Sequence, residues 1–110
     1  MITLDDFQKI DIRVGTVMSA EPFPEARKPS IKLVIDFGPV LGTKRSSAQL
    51  TRHYTPDVLV GRQVIAVVNF PARRIAGFAS EVLVLGACPE PDDVVLVRPD
   101  MPVVNGARIA

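Results

Sequence analysis

The chain has 110 residues, with one cysteine, one histidine, one tyrosine and no tryptophan. With Cys88 alone no disulfide can close inside the chain, and Cys88 plus His53 give too few ligands for a zinc site of the usual Cys/His type. Cys88 follows an apolar run and lacks a nucleophile signature, so it is expected to be a buried structural residue and not half of a catalytic pair with His53. The glycines are scattered and build neither a phosphate-binding loop nor a dinucleotide fingerprint. No run approaches the ~20 apolar residues of a membrane span, and Met1 to Asp6 lacks the cationic start and apolar core of a secretory signal. The expected class is a non-enzymatic binding protein of the cytoplasm that needs no cofactor or metal and does not insert into membranes.

What is present is apolar residue and unevenly placed charge. An apolar content of 47% suffices for a core within one domain spanning residues 1–110. The net charge is only +1, yet the stretch 27–74 holds Arg27, Lys28, Lys32, Lys44, Arg45, Arg52, Arg62, Arg73 and Arg74 against Asp36 and Asp57 alone. The flanks are correspondingly acidic. A molecule with a basic middle suits an anionic partner better than its total charge suggests.

The strongest pattern lies at 64–85. Val64 to Val68 and Val82 to Leu85 are apolar runs of strand length, and between them Asn69 to Phe78 carries Pro71, Gly77 and the cations Arg73 and Arg74. This segment reads as a basic loop with apolar members between two buried strands.

Upstream, Thr3 to Ile10 predicts a short helix with Thr3 as cap, Asp5 and Asp6 in its first turn, and Leu4, Phe7 and Ile10 on one face. Asp11 to Ala20 reads as a strand with a bulge or bend at Gly15. Three prolines make 21–29 a loop, and Ile31 to Phe37 alternates with Ile31, Leu33, Ile35 and Phe37 inward. Thr43 to Leu50 is a more polar strand, and Thr55-Pro56 to Gly61 is one helical turn. After Leu85, Cys88 to Asp93 reads as a break, followed by a strand at Val94 to Val97 and a last apolar piece at Val103 to Gly106.

The expectation is an all-β chain with short helices. Five strands, a helical turn between the third and fourth, an N-terminal helix and a C-terminal strand extension fit a five-stranded Greek-key OB-fold barrel over about 11–87, with another small barrel as the alternative. On such a barrel Arg13, Lys32, Lys44, Arg45, Arg73 and Arg74 can neutralise phosphates, with Phe78 and Tyr54 as the stacking candidates. Phe70, Ile75, Phe78 and Val82 could instead line an apolar peptide groove. The helix residues Leu4, Phe7 and Ile10, and the tail residues Val94, Leu96, Met101, Val103 and Val104, exceed what a closed barrel needs and predict a homodimer joined through these ends.

Several segments together resemble the tRNA-binding domain family, an OB-fold module also found attached to methionyl- and phenylalanyl-tRNA synthetases. They are Lys9 to Gly15, the Pro24 to Lys28 loop, Val64 to Asn69 with Pro71 to Gly77, and the Ser80-Glu81 pair. Within that family the chain is similar to the free-standing CsaA type through Phe37-Gly38, Lys44 to Leu50, Asn69 to Pro71, Gly77 to Gly86 and Pro102 to Ile109. Its motif positions add Asn69, Ser80 and Glu81 to the expected binding face. Where synthetase-linked members usually carry Gly-Met, this chain has Val82-Leu83, which suits an extended apolar peptide. The resemblance implies a homodimeric, export-related chaperone for unfolded or presecretory polypeptides, working near an export motor, with tRNA or another structured RNA on the same face. A tRNA-binding protein without chaperone role, or a plain dimerisation module, are the alternatives.

Overall fold

The computed structural model describes residues 1–110. In chain order its elements are α1 (Leu4–Gln8), β1 (Ile12–Pro22), β2 (Ile31–Asp36), α2 (Gly38–Leu41), β3 (Thr43–Ala48), α3 (Pro56–Leu59), β4 (Gln63–Val67), β5 (Arg73–Ile75), β6 (Phe78–Ser80), β7 (Leu83–Val84), β8 (Gly86–Glu90) and β9 (Asp93–Leu96). Five strands form one antiparallel sheet in the order β3-β2-β1-β4-β7, and the other four form the hairpins β5–β6 and β8–β9. The five-stranded sheet curls into a nearly closed barrel of OB type. No helix is long and apolar enough to cross a membrane.

β1 serves two neighbours in turn, pairing with β4 over Ile12 to Thr16 and with β2 over Thr16 to Pro22. The bend that permits this is a register shift between Val17 and Ser19, not at Gly15 as the sequence pattern predicts. Gly15 answers a different need. A Cβ there would lie 2.6 Å from Ile35 Cγ2 and 2.8 Å from the Phe37 ring, so only glycine lets β1 lie so close to these inward side chains.

The main core holds Val17, Ile31, Leu33, Ile35, Phe37, Leu50, Leu59, Val64, Ala66 and Val82. β4 explains itself through burial on both faces: Val64 and Ala66 enter this core, while Ile65 and Val67 join Ile12 and Val14 in a second cluster on the outer wall. An apolar run without alternation is what such a strand requires. Phe7 of α1, Leu85, Ala107 and Ile109 cover the outer cluster. Thr3 and Asp6 cap α1 reciprocally, and the Thr3 amide, then its hydroxyl, hold the Asp6 carboxyl below the usual carboxylate range.

The segment after the barrel departs from the sequence reading. Cys88 to Asp93 does not break the chain; β8 runs through Cys88 and Pro89, with a register shift between Ala87 and Glu90 that accommodates the proline. Cys88 is exposed, because it lies beyond the barrel on a hairpin edge, so the buried structural role is corrected. β9 pairs with β8 and not with 103–106. Val94 and Leu96 pack on the main core of their own chain. The last residues lie along β1, where Val14 N–H donates to Ala107 O at 2.9 Å and Ile109 N–H to Ile12 O at 2.9 Å. Gln63 holds the same tail by donating to Val103 O at 2.7 Å and accepting from Val103 N–H at 3.0 Å. Phe7, Val94 and Leu96 are therefore in part contacts of the single chain, and Leu4, Ile10, Met101, Val103 and Val104 are the exposed members of the predicted dimer set.

Closure of the barrel falls to β3 and the residues just before β7. One main-chain bond joins them, from Glu81 N–H to Arg45 O at 2.8 Å. Side chains supply the rest: Arg45 N–H donates to Glu81 Oε1 at 3.0 Å, Ser47 N–H to Ser80 Oγ at 3.0 Å, and Ser46 Oγ to Val82 O at 3.0 Å. Ser46 is 1% exposed, so no water can replace its hydroxyl. Ser46→Ala is expected to cost about 1–3 kcal/mol in urea unfolding by stranding the Val82 carbonyl, and to speed hydrogen exchange at the Glu81 amide.

Candidate nucleic-acid interface

Alternation along β2 and β3 sorts their side chains. Ile31, Leu33 and Ile35 point into the barrel, so Lys32 points out; on β3 the buried Ser46 points in, so Arg45 and Ser47 point out. Val34 is the Cα partner of Arg45 and Lys32 of Ser47, which puts the two cations on one outer patch. The β5–β6 hairpin hangs over this patch.

The segment 69–78, read from sequence as a loop, is thus partly regular. Arg73↔Ser80, Arg74↔Ala79 and Ile75↔Phe78 pair across a two-residue turn whose Ala76 and Gly77 both have positive φ, 46° and 81°. That is the handedness a tight hairpin needs, and it directs the chain back so that Phe78 lands on the patch.

Phe78 meets Phe23 edge-on, with ring centroids 5.5 Å apart at 66°. Lys32 Nζ lies 4.5 Å from the Phe23 ring centre and 5.2 Å from that of Phe78, and the Arg45 guanidinium lies 5.2 Å from Phe78. Each such contact contributes about 0.5–1 kcal/mol at an exposed site. Two cations are therefore held above an aromatic pair at fixed positions. Lys32 also faces Glu21 at 4.0 Å and Arg45 faces Glu81 at 3.6 Å. On the hairpin, Arg73 and Arg74 make no ion pair, and Arg74 donates to Gly77 O at 3.1 Å. They are exposed and directed at no carboxylate of the chain.

The structure thus brings Lys32, Arg45, Phe78, Ser80, Glu81 and the hairpin arginines to one face, but it reassigns several residues. Arg13 lies elsewhere, bound to Asp11 at 2.6 Å and Gly106 O at 3.0 Å. Asn69 ties the end of β4 to the start of β1, accepting from Asp11 N–H at 3.0 Å and donating to Lys9 O at 2.9 Å. Lys44 shares the inner side of β3 with Ser46. Val82 is 5% exposed in the main core and cannot line a groove. Ser80 and Glu81 face the patch as parts of the seam. Tyr54 is engaged too, accepting from Leu96 N–H at 3.0 Å with Arg62 over its ring. Of the apolar residues expected in a groove, Phe70 is 49% exposed before the β5–β6 hairpin and Ile75 is half-buried on it.

Sequence reasoning missed Phe23. Flanked by prolines in a loop, it gave no periodic signal, yet it is 2% exposed and supports both Lys32 and Phe78.

A family model described as a putative tRNA binding domain matches residues 12–108. The methionine–tRNA ligase of Chlorobium chlorochromatii is 36% identical over 108 residues, covering 98% of this chain. The chain spans only 15% of that relative's length. Among solved structures, the CsaA chaperone of Bacillus anthracis superposes with a TM-score of 0.95 at 56% identity, covering 100% of this chain and 99% of that one. The CsaA chaperone protein of Picrophilus torridus gives 0.91 at 52% identity, with 100% of both chains covered. A barrel closed through Ser80-Glu81, a basic hairpin over strands β2 and β3, and these matches lead to one assignment: the chain belongs to the family of putative tRNA binding domains, and its structure is of the CsaA kind.

Proposed function

We propose that the chain, acting as one unit over residues 1–110, binds tRNA or a similarly folded RNA on the outer face of β2 and β3. The observation that carries this reading is the placement of cations. Lys32 and Arg45 are fixed around Phe78 and Phe23, while Arg73 and Arg74 extend beside them with no carboxylate partner. In OB-folds this face and the loops after strands one and four are the usual nucleic-acid surface. Both aromatics are enclosed by cations and by each other, so phosphate contacts and shape, more than base stacking, supply the affinity.

A second reading, polypeptide binding, is favoured by the similarity to CsaA chaperones and by Phe70 and Ile75 on the segment that carries Arg73 and Arg74. An unfolded or presecretory segment would place apolar side chains there, where burial of one contributes about 1.5–3 kcal/mol before ordering costs.

Titrating tRNA and an unfolded polypeptide side by side at low and moderate salt tests both readings. The Arg73→Glu/Arg74→Glu variant is expected to lose tRNA binding at least tenfold and to flatten the dependence of log K on log salt by about 1.4–1.8, from two lost phosphate contacts. Its polypeptide binding is expected to change little with salt. Unaltered tRNA affinity in this variant contradicts the RNA assignment.

The homodimer belongs to the same proposal. Leu4, Ile10, Met101, Val103 and Val104 remain exposed, and an apolar groove between α1 and the tail is lined by Leu4, Phe7 and Ile109. A two-fold partner would cover that surface on both copies. Sedimentation at micromolar concentration is expected to give twice the chain mass of 11.9 kDa; a monomer rules the interface out.

A further inference from the structure

The basic patch does not stop at the ends of β2 and β3. Ile31 is the Cα partner of Ala48, and just beyond this pair Lys28 and Pro29 face Gln49, Thr51 and Arg52 across a groove of about 380 Å³. Apart from Pro29 and Pro91, the residues lining it are polar or charged. Ser30, two residues before Lys32, fixes the Lys28 loop by donating to Lys28 O at 2.9 Å, and Phe23 N–H donates to Ser30 O at 3.1 Å. The Lys28 wall of the groove is thus tied through Ser30 to Phe23 of the Phe23–Lys32–Phe78 cluster.

Its far wall is the acidic tip of the β8–β9 hairpin. Arg52 Nη1 lies 3.3 Å from Glu90 Oε2, 3.4 Å from Asp92 Oδ1 and 4.0 Å from Asp93 Oδ2. Asp93 also meets His53. Three carboxylates thus surround one side of a guanidinium whose neighbour across the groove is Lys28. Oxygens arranged around one arginine beside a lysine present it with what a phosphate would, and Arg52 binds phosphate as readily as carboxylate. Glu90 and Asp92 are 65% and 82% exposed and anchor nothing else, so they can leave Arg52 at little cost. Asp93 is 16% exposed, held by His53, and stays.

We infer that Lys28 and Arg52 form a second phosphate subsite for the RNA bound on β2 and β3, and that Glu90 and Asp92 occupy it as an internal competitor. The inference rests on the RNA reading above. RNA engaging the patch displaces the two tip carboxylates from Arg52, and the contact is exchanged for one with its backbone. The tip therefore lowers affinity most for RNA long enough to reach the groove, and acts on shorter polyanions only through its screened charge.

The test uses the full chain and an unmodified tRNA, with affinity measured across a salt series. Glu90→Gln/Asp92→Asn is expected to tighten binding about two- to fivefold, the equivalent of one exposed ion pair. Asp5→Asn/Asp100→Asn removes the same charge far from the groove and is expected to give a smaller gain. Introduced into Arg52→Gln, the tip substitutions are expected to give no more than this control. Lys28→Gln, which removes no side-chain contact within the chain, is expected to weaken binding and flatten the salt slope by about 0.7–0.9. The inference is overturned if the tip variant binds like wild type, if the control matches its gain, or if the gain persists without Arg52. Failure of the wild-type chain to bind tRNA at all instead overturns the RNA reading itself. Loss of the hairpin arginines' effect does the same, so the two failures are separable.

Discussion

A five-stranded antiparallel sheet ordered β3-β2-β1-β4-β7 has unpaired peptide groups along β3 and β7, and a barrel this small has few main-chain partners to give them. The side chains of Ser46, Ser80 and Glu81 answer that shortage by hydrogen bonding main-chain groups across the seam. Everything on the functional face depends on this seam. It fixes the exit of β6, hence the position of Phe78, and through Glu81 it orients the Arg45 guanidinium toward the same ring. Two acid-and-hydroxyl residues in an otherwise cationic patch thus have a mechanical reason to be there. A purely electrostatic reading would have counted Glu81 as a liability for anion binding.

The apolar residues divide by the same logic. β4 feeds two clusters from its two faces, one inside the barrel and one outside it. The outer one is shallow, and α1 and the final residues cover it only in part, leaving apolar side chains open beside the cover. The ends of the chain therefore complete the monomer through β1 and Gln63 and leave the apolar surface that the proposed dimer would cover. The proposed binding face on β2 and β3 and the surface at the chain ends lie on different parts of the barrel wall, so a dimer would leave that face accessible on both copies.

Much of the barrel was legible in the sequence because its strands obey simple periods. The alternation of Ile31 to Phe37, the continuous run of β4 and the Thr55-Pro56 helix start each have one local cause, and each was found where it was expected. Residues whose role depends on what the fold brings against them were not legible. Gly15 reads as a bend, but its need is set by Ile35 and Phe37 on the neighbouring strand. Arg13 and Asn69 read as binding residues, yet both serve contacts within the chain that pass far along the sequence. Phe23 was silent because loops have no period. Pro89 misled, since a proline marks a break unless a register shift absorbs it. Position along the chain groups the cations of 27–74, but only strand alternation in the folded molecule separates Arg45, on the outer side of β3, from Lys44, behind it.

The central claim is that RNA is held on the outer face of β2 and β3 under the β5–β6 hairpin. Amide hydrogen exchange of the intact protein with and without tRNA, resolved by residue, tests it directly. Protection is predicted over Lys32 to Val34, Arg45 to Ser47 and Arg73 to Ser80, with α1 and the tail beyond Val103 unchanged. Protection confined to α1 and the tail, with these segments exchanging as in the free protein, would contradict it.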